Sequence, residues 1–384
     1  MCKNLLLEYQ YLLESLDFYL LLALALVVIY QVVFYIRLLC TTRPAKALAP
    51  AVQPGVSVIV CARNEQRNIQ DYLHTLLTQD YPLYEVIVVD DGSEDDTSII
   101  LEQMTHRWPN LYRTFVPQGA RVISSKKLAL TIGIKASRYD YILLTDADCC
   151  PQSPHWISEM MAGFDSDSTE LVLGCSPYFE NPSLLSSVIS YDTLFIALQY
   201  MAYARAGHPY MGVGRNMAYR KSTSFAHNGF QGLLGERSGD NDLFVNKVAT
   251  RTNTRTVCTP NSLTWSSPES TWKAWFEQKR RHLSVSSYYK LGNKFHLFFE
   301  PFTRAMLYAL LVLAFVLGTY YTPLIALSLY LLRAFMQRLS INLAARRLGV
   351  RCFGAEMVLY DLFLPLCNLW MMISKRLRKK PIYW

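Results

Sequence analysis

The 384-residue sequence predicts an α/β domain built on a mostly parallel sheet and flanked by transmembrane helices. Three observations point there. Short apolar runs alternate with helical segments between residues 56 and 144, the pattern of strands buried on both faces and joined by crossover helices. Long uncharged runs stand on either side of that region. The composition is 51% hydrophobic and only 18% charged, oily for a soluble enzyme.

Residues 18–36 carry no charge and one amide, Gln31, which suits a spanning helix. Glu8, Glu14 and Asp17 outweigh Lys3 before it, the wrong sign for a signal peptide. Arg37, Arg43 and Lys46 follow, so the positive-inside rule puts the next segment in the cytoplasm. Residues 41–55, with Pro44, Pro50 and Pro54, read as a semi-extended linker. A second uncharged run, 305–332, would be about 42 Å long as one helix, against a hydrocarbon core of roughly 30 Å. The turn chemistry of Gly318, Thr319, Tyr320, Tyr321, Thr322 and Pro323 predicts a helical hairpin that returns Arg333, Arg338, Arg346, Arg347 and Arg351 to the inside. Residues 357–373 hold Asp361 and Pro365 between basic flanks, which favours an interfacial or re-entrant segment. Three crossings of the cytoplasmic (inner) membrane are expected. The division is then an anchor over 1–40, a linker over 41–55, a cytoplasmic domain over 56–300, a hairpin over 301–340 and a basic amphipathic tail over 341–384.

The net charge of +8 gathers beside apolar runs, as in Lys375, Arg376, Arg378, Lys379 and Lys380. That placement fits anionic headgroups and argues against a nucleic-acid partner. Nine scattered cysteines without a Cys-x-x-Cys pair give neither a zinc set nor a disulfide framework, and fit a reducing compartment. A transporter is disfavoured because the spans show no intramembrane charge pair.

Within the domain, strands are expected at 56–60, 85–89, 111–116 and 141–144, and helices at 65–77, 95–106 and 126–136, the first capped by Asn64. Ligands bind beyond the carboxyl ends of such strands, and the acidic residues lie there. The second strand runs into Asp90-Asp91-Gly92-Ser93-Glu94-Asp95-Asp96. Capping by Ser93 or Asp95 accounts for the later acids. Asp90 and Asp91 precede the turn, where a carboxylate can accept from a base N–H or a ribose hydroxyl. The fourth strand runs into Thr145-Asp146-Ala147-Asp148, and in extended chain both carboxylates project to one side. Two oxygen donors with no nearby His or Cys favour a hard cation, Mg²⁺ or Mn²⁺.

Asp90-Asp91-Gly92-Ser93, Thr145-Asp146-Ala147-Asp148 and Gln278-Lys279-Arg280-Arg281-His282, in that order, resemble the motifs of family 2 glycosyltransferases. The resemblance covers residues 56–300 and the flanking helices, and is to the membrane branch that includes cellulose, hyaluronan and poly-N-acetylglucosamine synthases. It implies a GT-A fold and inverting transfer from a nucleotide-diphosphate sugar, a UDP-sugar being expected, to a saccharide or lipid-linked acceptor. It also implies that Asp91 contacts the base and that Ala62, Arg63 and Glu65 form the first nucleotide loop. Lys126 stands at the lysine of a Gly-Lys motif, and Asp148 ligates the metal with Asp146 close by. Gln278 and Arg281, three apart on a helix opened by Ser267-Pro268-Glu269, face the diphosphate, while Arg280 is open between diphosphate and headgroup.

The family's acidic pair before the acceptor groove aligns with Gly239-Asp240-Asn241-Asp242, where Gly239 replaces a common Glu. Asp240 is the expected general base and Asp242 the fallback, capping of the helix by Asp240 being the plainer alternative. His282 stands where the motif usually ends in Trp. Trp272, Trp275 and Phe276 suit a helix at the membrane surface, and Gly212-Val213-Gly214-Arg215-Asn216 resembles the acceptor-side loop. Two alternatives stay open: an inactive sugar-nucleotide-binding subunit of a synthase complex, and a single-transfer polyprenyl-phosphate glycosyltransferase. Synthase or export partners are compatible with either.

Overall fold

The computed structural model describes residues 2–42, 53–117, 125–230 and 239–377. Most of the expected linker, Arg43 included, and the basic residues from 378 onward lie outside these. In chain order come α1 (Cys2–Cys40), β1 (Val56–Ala62), α2 (Gln66–Leu77), β2 (Tyr84–Asp90), α3 (Thr97–Thr105), β3 (Leu111–Phe115), α4 (Ser125–Ala136) and β4 (Tyr141–Asp146). There follow β5 (Cys149–Pro151), α5 (Trp156–Met161), β6 (Leu171–Leu173), α6 (Leu184–Arg205), β7 (Met217–Arg220), α7 (Lys221–Ala226), α8 (Asp240–Val248), β8 (Thr254–Thr256) and β9 (Thr264–Ser266). The chain continues through α9 (Trp272–Val285), α10 (Leu291–Leu317), α11 (Thr322–Leu348) and α12 (Glu356–Leu377).

The main sheet runs β3-β2-β1-β4-β7-β6-β8. β1 to β4 are parallel, β7 is antiparallel to both β4 and β6, and β6 is parallel to β8. Alternate side chains explain why these runs read as continuously apolar. Ile59, Ile87 and Leu144 enter one core, while Val58, Val88 and Leu143 enter the other with Ile69, Leu73 and Leu76 of α2. The first core also holds Tyr35 of α1, Leu198 of α6, Ile341 of α11 and Tyr360 of α12. The apolar helices and the sheet therefore share one interior, and α10 runs unbroken through residue 300, where the sequence suggested a boundary.

Five helices among the described residues are long and apolar enough to cross a membrane: those over Ser15–Cys40, Leu184–Arg205, Leu291–Leu317, Thr322–Leu348 and Glu356–Ser374. α6 is mostly buried against the sheet and α1. The hairpin turn falls where the sequence puts it, between Leu317 and Thr322, with Pro323 in the first turn of α11. α12 is one continuous helix of about 33 Å despite Pro365. It packs beside α9, with Trp272 on Phe363 and Phe276 on Trp370.

Buried ion pairs, which the sequence alone did not reveal, join the apolar helices α10, α11 and α12. Arg304 and Arg333 border the uncharged run, but α10 and α11 extend far enough to place both near mid-helix. Arg333 pairs with Asp361 at 2.7 Å and Arg304 with Asp361 at 3.2 Å. Arg304 also pairs with Glu300, and Arg333 donates to Tyr35 Oη at 2.9 Å. Gln337 donates to Asp361 at 3.0 Å and Tyr308 donates at 2.7 Å. Each charge is neutralised and hydrogen-bonded, the condition under which such groups persist away from water.

Candidate active site

Strand register brings three loop starts side by side: Ala62 is opposite Asp90, and Cys61 is opposite Asp146. The chain then turns so that the loops fasten one another. Asn64, with φ of 56°, does not cap α2, whose cap residue is Glu65. Its backbone N–H donates to Ser93 Oγ at 3.0 Å and its Oδ1 accepts from Glu94 N–H at 2.8 Å. Asp90 accepts from Ser93 N–H at 2.8 Å, and Asp95 accepts from Thr97 and Gln66. The residue capping α3 is Asp96, whose side chain makes no capping bond. Of this cluster, the Asp90 and Asp95 carboxylates thus hold the loop. Asp91 is buried, and its backbone N–H donates to Ala62 at 2.8 Å.

Beyond β4 the chain turns at Ala147 and Asp148 instead of staying extended, so the two carboxylates reach one cavity by a turn. Each has its own partner: Lys126 Nζ lies 2.8 Å from Asp146, and Ser266 Oγ donates to Asp148 at 2.6 Å. Burial works against the charge of Lys126, but Asp146 holds its ammonium above the ordinary range. Burial lifts the Glu65 carboxyl, and the charges of Asp148 and Asp146 add to the rise, while a bond from Asn68 opposes it. Arg63 is exposed.

Asp240 is the first residue of α8 and not its cap, which is Gly239 at φ 81°. A side chain at 239 would be strained, and its Cβ would stand 2.6 Å from Val285, so the Glu common there has no room. Asp240 is buried against Lys127, whose Nζ is 3.2 Å away and whose side chain is 0% exposed. The sequence did not single out Lys127; its signal was a second lysine beside Lys126 at the opening of α4. Asp242 lies toward Tyr210 and Tyr289. Burial and the charge of Asp240 push its carboxyl up to about 7.

Helix α9 begins at Trp272 instead of beside Pro268, because Thr271 accepts from Ala274 N–H. Gln278 Nε2 donates to Tyr178 Oη at 3.4 Å, and the Arg215 guanidinium stacks on the Tyr178 ring at 4.2 Å. Lys279 is paired with buried Asp192 of α6, and Arg280 lies over Trp370 of α12 at 5.1 Å. Enclosure, with the cations of Lys279, Arg215 and Arg281, lowers the His282 imidazole to about 4, so it is neutral at pH 7. Asn216 is structural: it donates to Cys175 and Ser262 carbonyls at 2.6 Å and accepts from Trp156 at 3.0 Å.

One cavity of about 1580 Å³ is lined by Lys126, Asp146, Asp148, Asp240, Asp242, Gln278 and Arg281 together. Ala62, Arg63, Glu65 and Asp91 do not line it; they gather at the ends of β1 and β2 next to it.

The model of the glycosyl transferase family group 2 matches residues 141–372, and that of glycosyl transferase family 2 matches residues 57–223. The chain belongs to the family 2 glycosyltransferases. The transferase is 33% identical over 94 residues to a poly-β-1,6-N-acetyl-D-glucosamine synthase of Staphylococcus epidermidis, a match that covers 24% of this chain and 22% of that protein. It is 24% identical to a probable glycosyltransferase of Bacillus subtilis over 86% of each chain. Its fold is GT-A: a mannosyltransferase from Pyrobaculum calidifontis, solved with GDP-mannose and Mn²⁺, superposes with a TM-score of 0.56 at 19% identity, over 88% of this chain and 99% of that one.

Proposed function

We propose that this glycosyltransferase transfers one sugar residue per turnover, with inversion, from a nucleotide-diphosphate sugar, a UDP-sugar being the expected donor, to an acceptor at the cytoplasmic face of the membrane. The observation that carries it is the shared cavity of Lys126, Asp146, Asp148, Asp240 and Arg281. In this reading Asp91 accepts from the base, with Ala62, Arg63 and Glu65 forming the wall beneath it. Lys126, Gln278 and Arg281 bind the diphosphate and offset the charge that grows on it as it departs. Asp240 accepts the acceptor hydroxyl proton while that oxygen bonds to the anomeric carbon. The bond from that carbon to the diphosphate breaks, and the nucleoside diphosphate leaves.

Asp148 and Asp146 offer hard oxygen donors to the cavity, and no group of three His, Cys, Asp or Glu that could hold a metal occurs among the described residues. That donor set fits Mg²⁺ or Mn²⁺ completed by diphosphate and water. Bound there, the ion would neutralise charge on the diphosphate.

Asp240 is favoured over Asp242 because it sits with Lys126 and Cys61 beside Asp146 and Asp91, whereas Asp242 turns toward Tyr210 and Tyr289. The pairing of α12 with α9 supports an interfacial C-terminal helix, because α9 carries Gln278 and Arg281 at the catalytic cavity. The test is calorimetric titration of UDP-sugars and GDP-sugars with and without Mn²⁺. Binding of one donor class that is strengthened by Mn²⁺ and weakened by Asp148→Asn is expected. Equal binding in both proteins would remove the diphosphate role of Asp148.

A further inference from the structure

The catalytic cavity does not end at the catalytic residues. It continues between α10 and α12, where Phe298, Phe302, Leu366, Leu369 and Met372 line it. These side chains are also at the outer surface: Phe298 is 59% exposed, Leu366 64% and Leu369 55%. One continuous space therefore joins the carboxylates to an apolar opening. α10 and α12 are clasped at Asp361, which Tyr308 and Arg304 reach from α10. On one side of that clasp, at residues 298–302 of α10 and 364–372 of α12, the space between the helices is the cavity itself.

We propose that this opening is a lateral portal through which the hydrocarbon chain of a lipid-linked acceptor lies while its head reaches Asp240. The proposal rests on the glycosyltransferase reading and names the acceptor class for that same site. The portal lies between α10 and α12, both long and apolar enough to cross a membrane, so the bilayer reaches it directly. The chemistry of the mouth selects the occupant. A saccharide chain leaving this way would lose water from its many hydroxyls and find only the Asn368 amide among these apolar side chains to replace it. A hydrocarbon chain gains from the same surface. Apart from Asn368, the polar lining of this part is the buried Glu300 and Arg304, with Lys279 and the catalytic carboxylates beyond.

The test uses the full chain in phosphatidylglycerol–phosphatidylethanolamine nanodiscs carrying a long-chain isoprenyl-diphosphate-linked monosaccharide, whose sugar hydroxyl is the acceptor group Asp240 requires, with a diazirine on the chain and an alkyne tag. After photolysis, labelled peptides are mapped, and transfer from the radiolabelled donor is partitioned into organic-soluble and aqueous products. Label is expected on residues 291–305 and 364–372, displaced by the same lipid-linked monosaccharide without the tag. Leu369→Trp, which fills the mouth, should lower that labelling and the organic-soluble product by about tenfold or more, with nucleotide affinity unchanged. Label spread evenly over the lipid-facing side of α1, α10 and α11, or a Leu369→Trp protein that matches the parent in both readouts, overturns the portal. So does label incorporated only into water-soluble saccharide. A parent protein that binds no nucleotide sugar instead removes the glycosyltransferase reading, and the portal with it.

Discussion

Replacing Asp240 by Asn removes proton acceptance, but in this protein it also takes the carboxylate from a lysine with 0% exposure. Breaking a buried ion pair by removing one member costs roughly 3–5 kcal/mol. Loss of activity in Asp240→Asn alone would therefore be ambiguous between chemistry and folding. The second variant is Lys127→Met with Asp240→Asn, which removes both charges and keeps similar volume. We expect Asp240→Asn to lower the melting temperature, and the double variant to recover most of that loss. A positioned base is worth about a hundredfold to ten-thousandfold in rate, so sugar transfer should stay down by that factor in both. The assays are thermal unfolding followed by intrinsic fluorescence, and release of nucleoside diphosphate at saturating donor. Transfer that returns along with stability in the double variant would refute Asp240 as base and leave it a structural partner of Lys127.

Other outcomes follow from the same geometry. The Asp242 carboxyl titrates near 7 in the fold, and near 4 when unfolded. The folded state binds the extra proton between those values, so this group's contribution to stability falls as pH rises through that window. Asp242→Asn should therefore stabilise the protein more at pH 8 than at pH 5, by at most about 3 kcal/mol; an equal effect at both would contradict the shift. Activity should disappear on chelation with EDTA and return with Mg²⁺ or Mn²⁺, and full turnover after verified metal removal would sink the metal role of Asp146 and Asp148. Gly239→Ala should destabilise by roughly 1–2 kcal/mol from its left-handed backbone alone, with more from Val285; a neutral change in unfolding midpoint would show that the turn relaxes. In a cysteine-free background, a membrane-impermeant thiol reagent should label Tyr320→Cys from outside and Arg338→Cys only from the cytoplasm. The reverse pattern would invert the hairpin.

Much of this protein was legible before its structure because its signals are local. The strands over β1, β2 and β4 are continuously apolar, and each ends in polar residues at the sheet edge where ligands gather. The hairpin was readable from Gly318 to Pro323 for the same reason. What escaped were contacts between distant segments. Asp361 looked like a flaw in an apolar run until Arg333 and Arg304 came from two other helices to meet it. Lys127 looked like an echo of Lys126 until α8 brought Asp240 onto it. α9 starts later than the Ser267-Pro268-Glu269 signal implies because Thr271 supplies the cap. The apolar mouth between α10 and α12 was invisible because it is made from two helix faces, each of which alone reads as ordinary lipid contact.

The central claim is that the cavity transfers sugar and does not merely hold it. The most direct measurement follows purified chain in nanodiscs with a panel of radiolabelled nucleotide sugars and Mn²⁺, counting nucleoside diphosphate released against sugar incorporated, with Asp240→Asn beside it. The account predicts one donor whose nucleoside diphosphate is released in step with incorporated label, and an Asp240→Asn protein that binds that donor within a few-fold of the parent yet incorporates almost none. A parent that binds a donor tightly but releases no nucleoside diphosphate with any acceptor-bearing membrane would contradict it, and would make the chain a binding subunit.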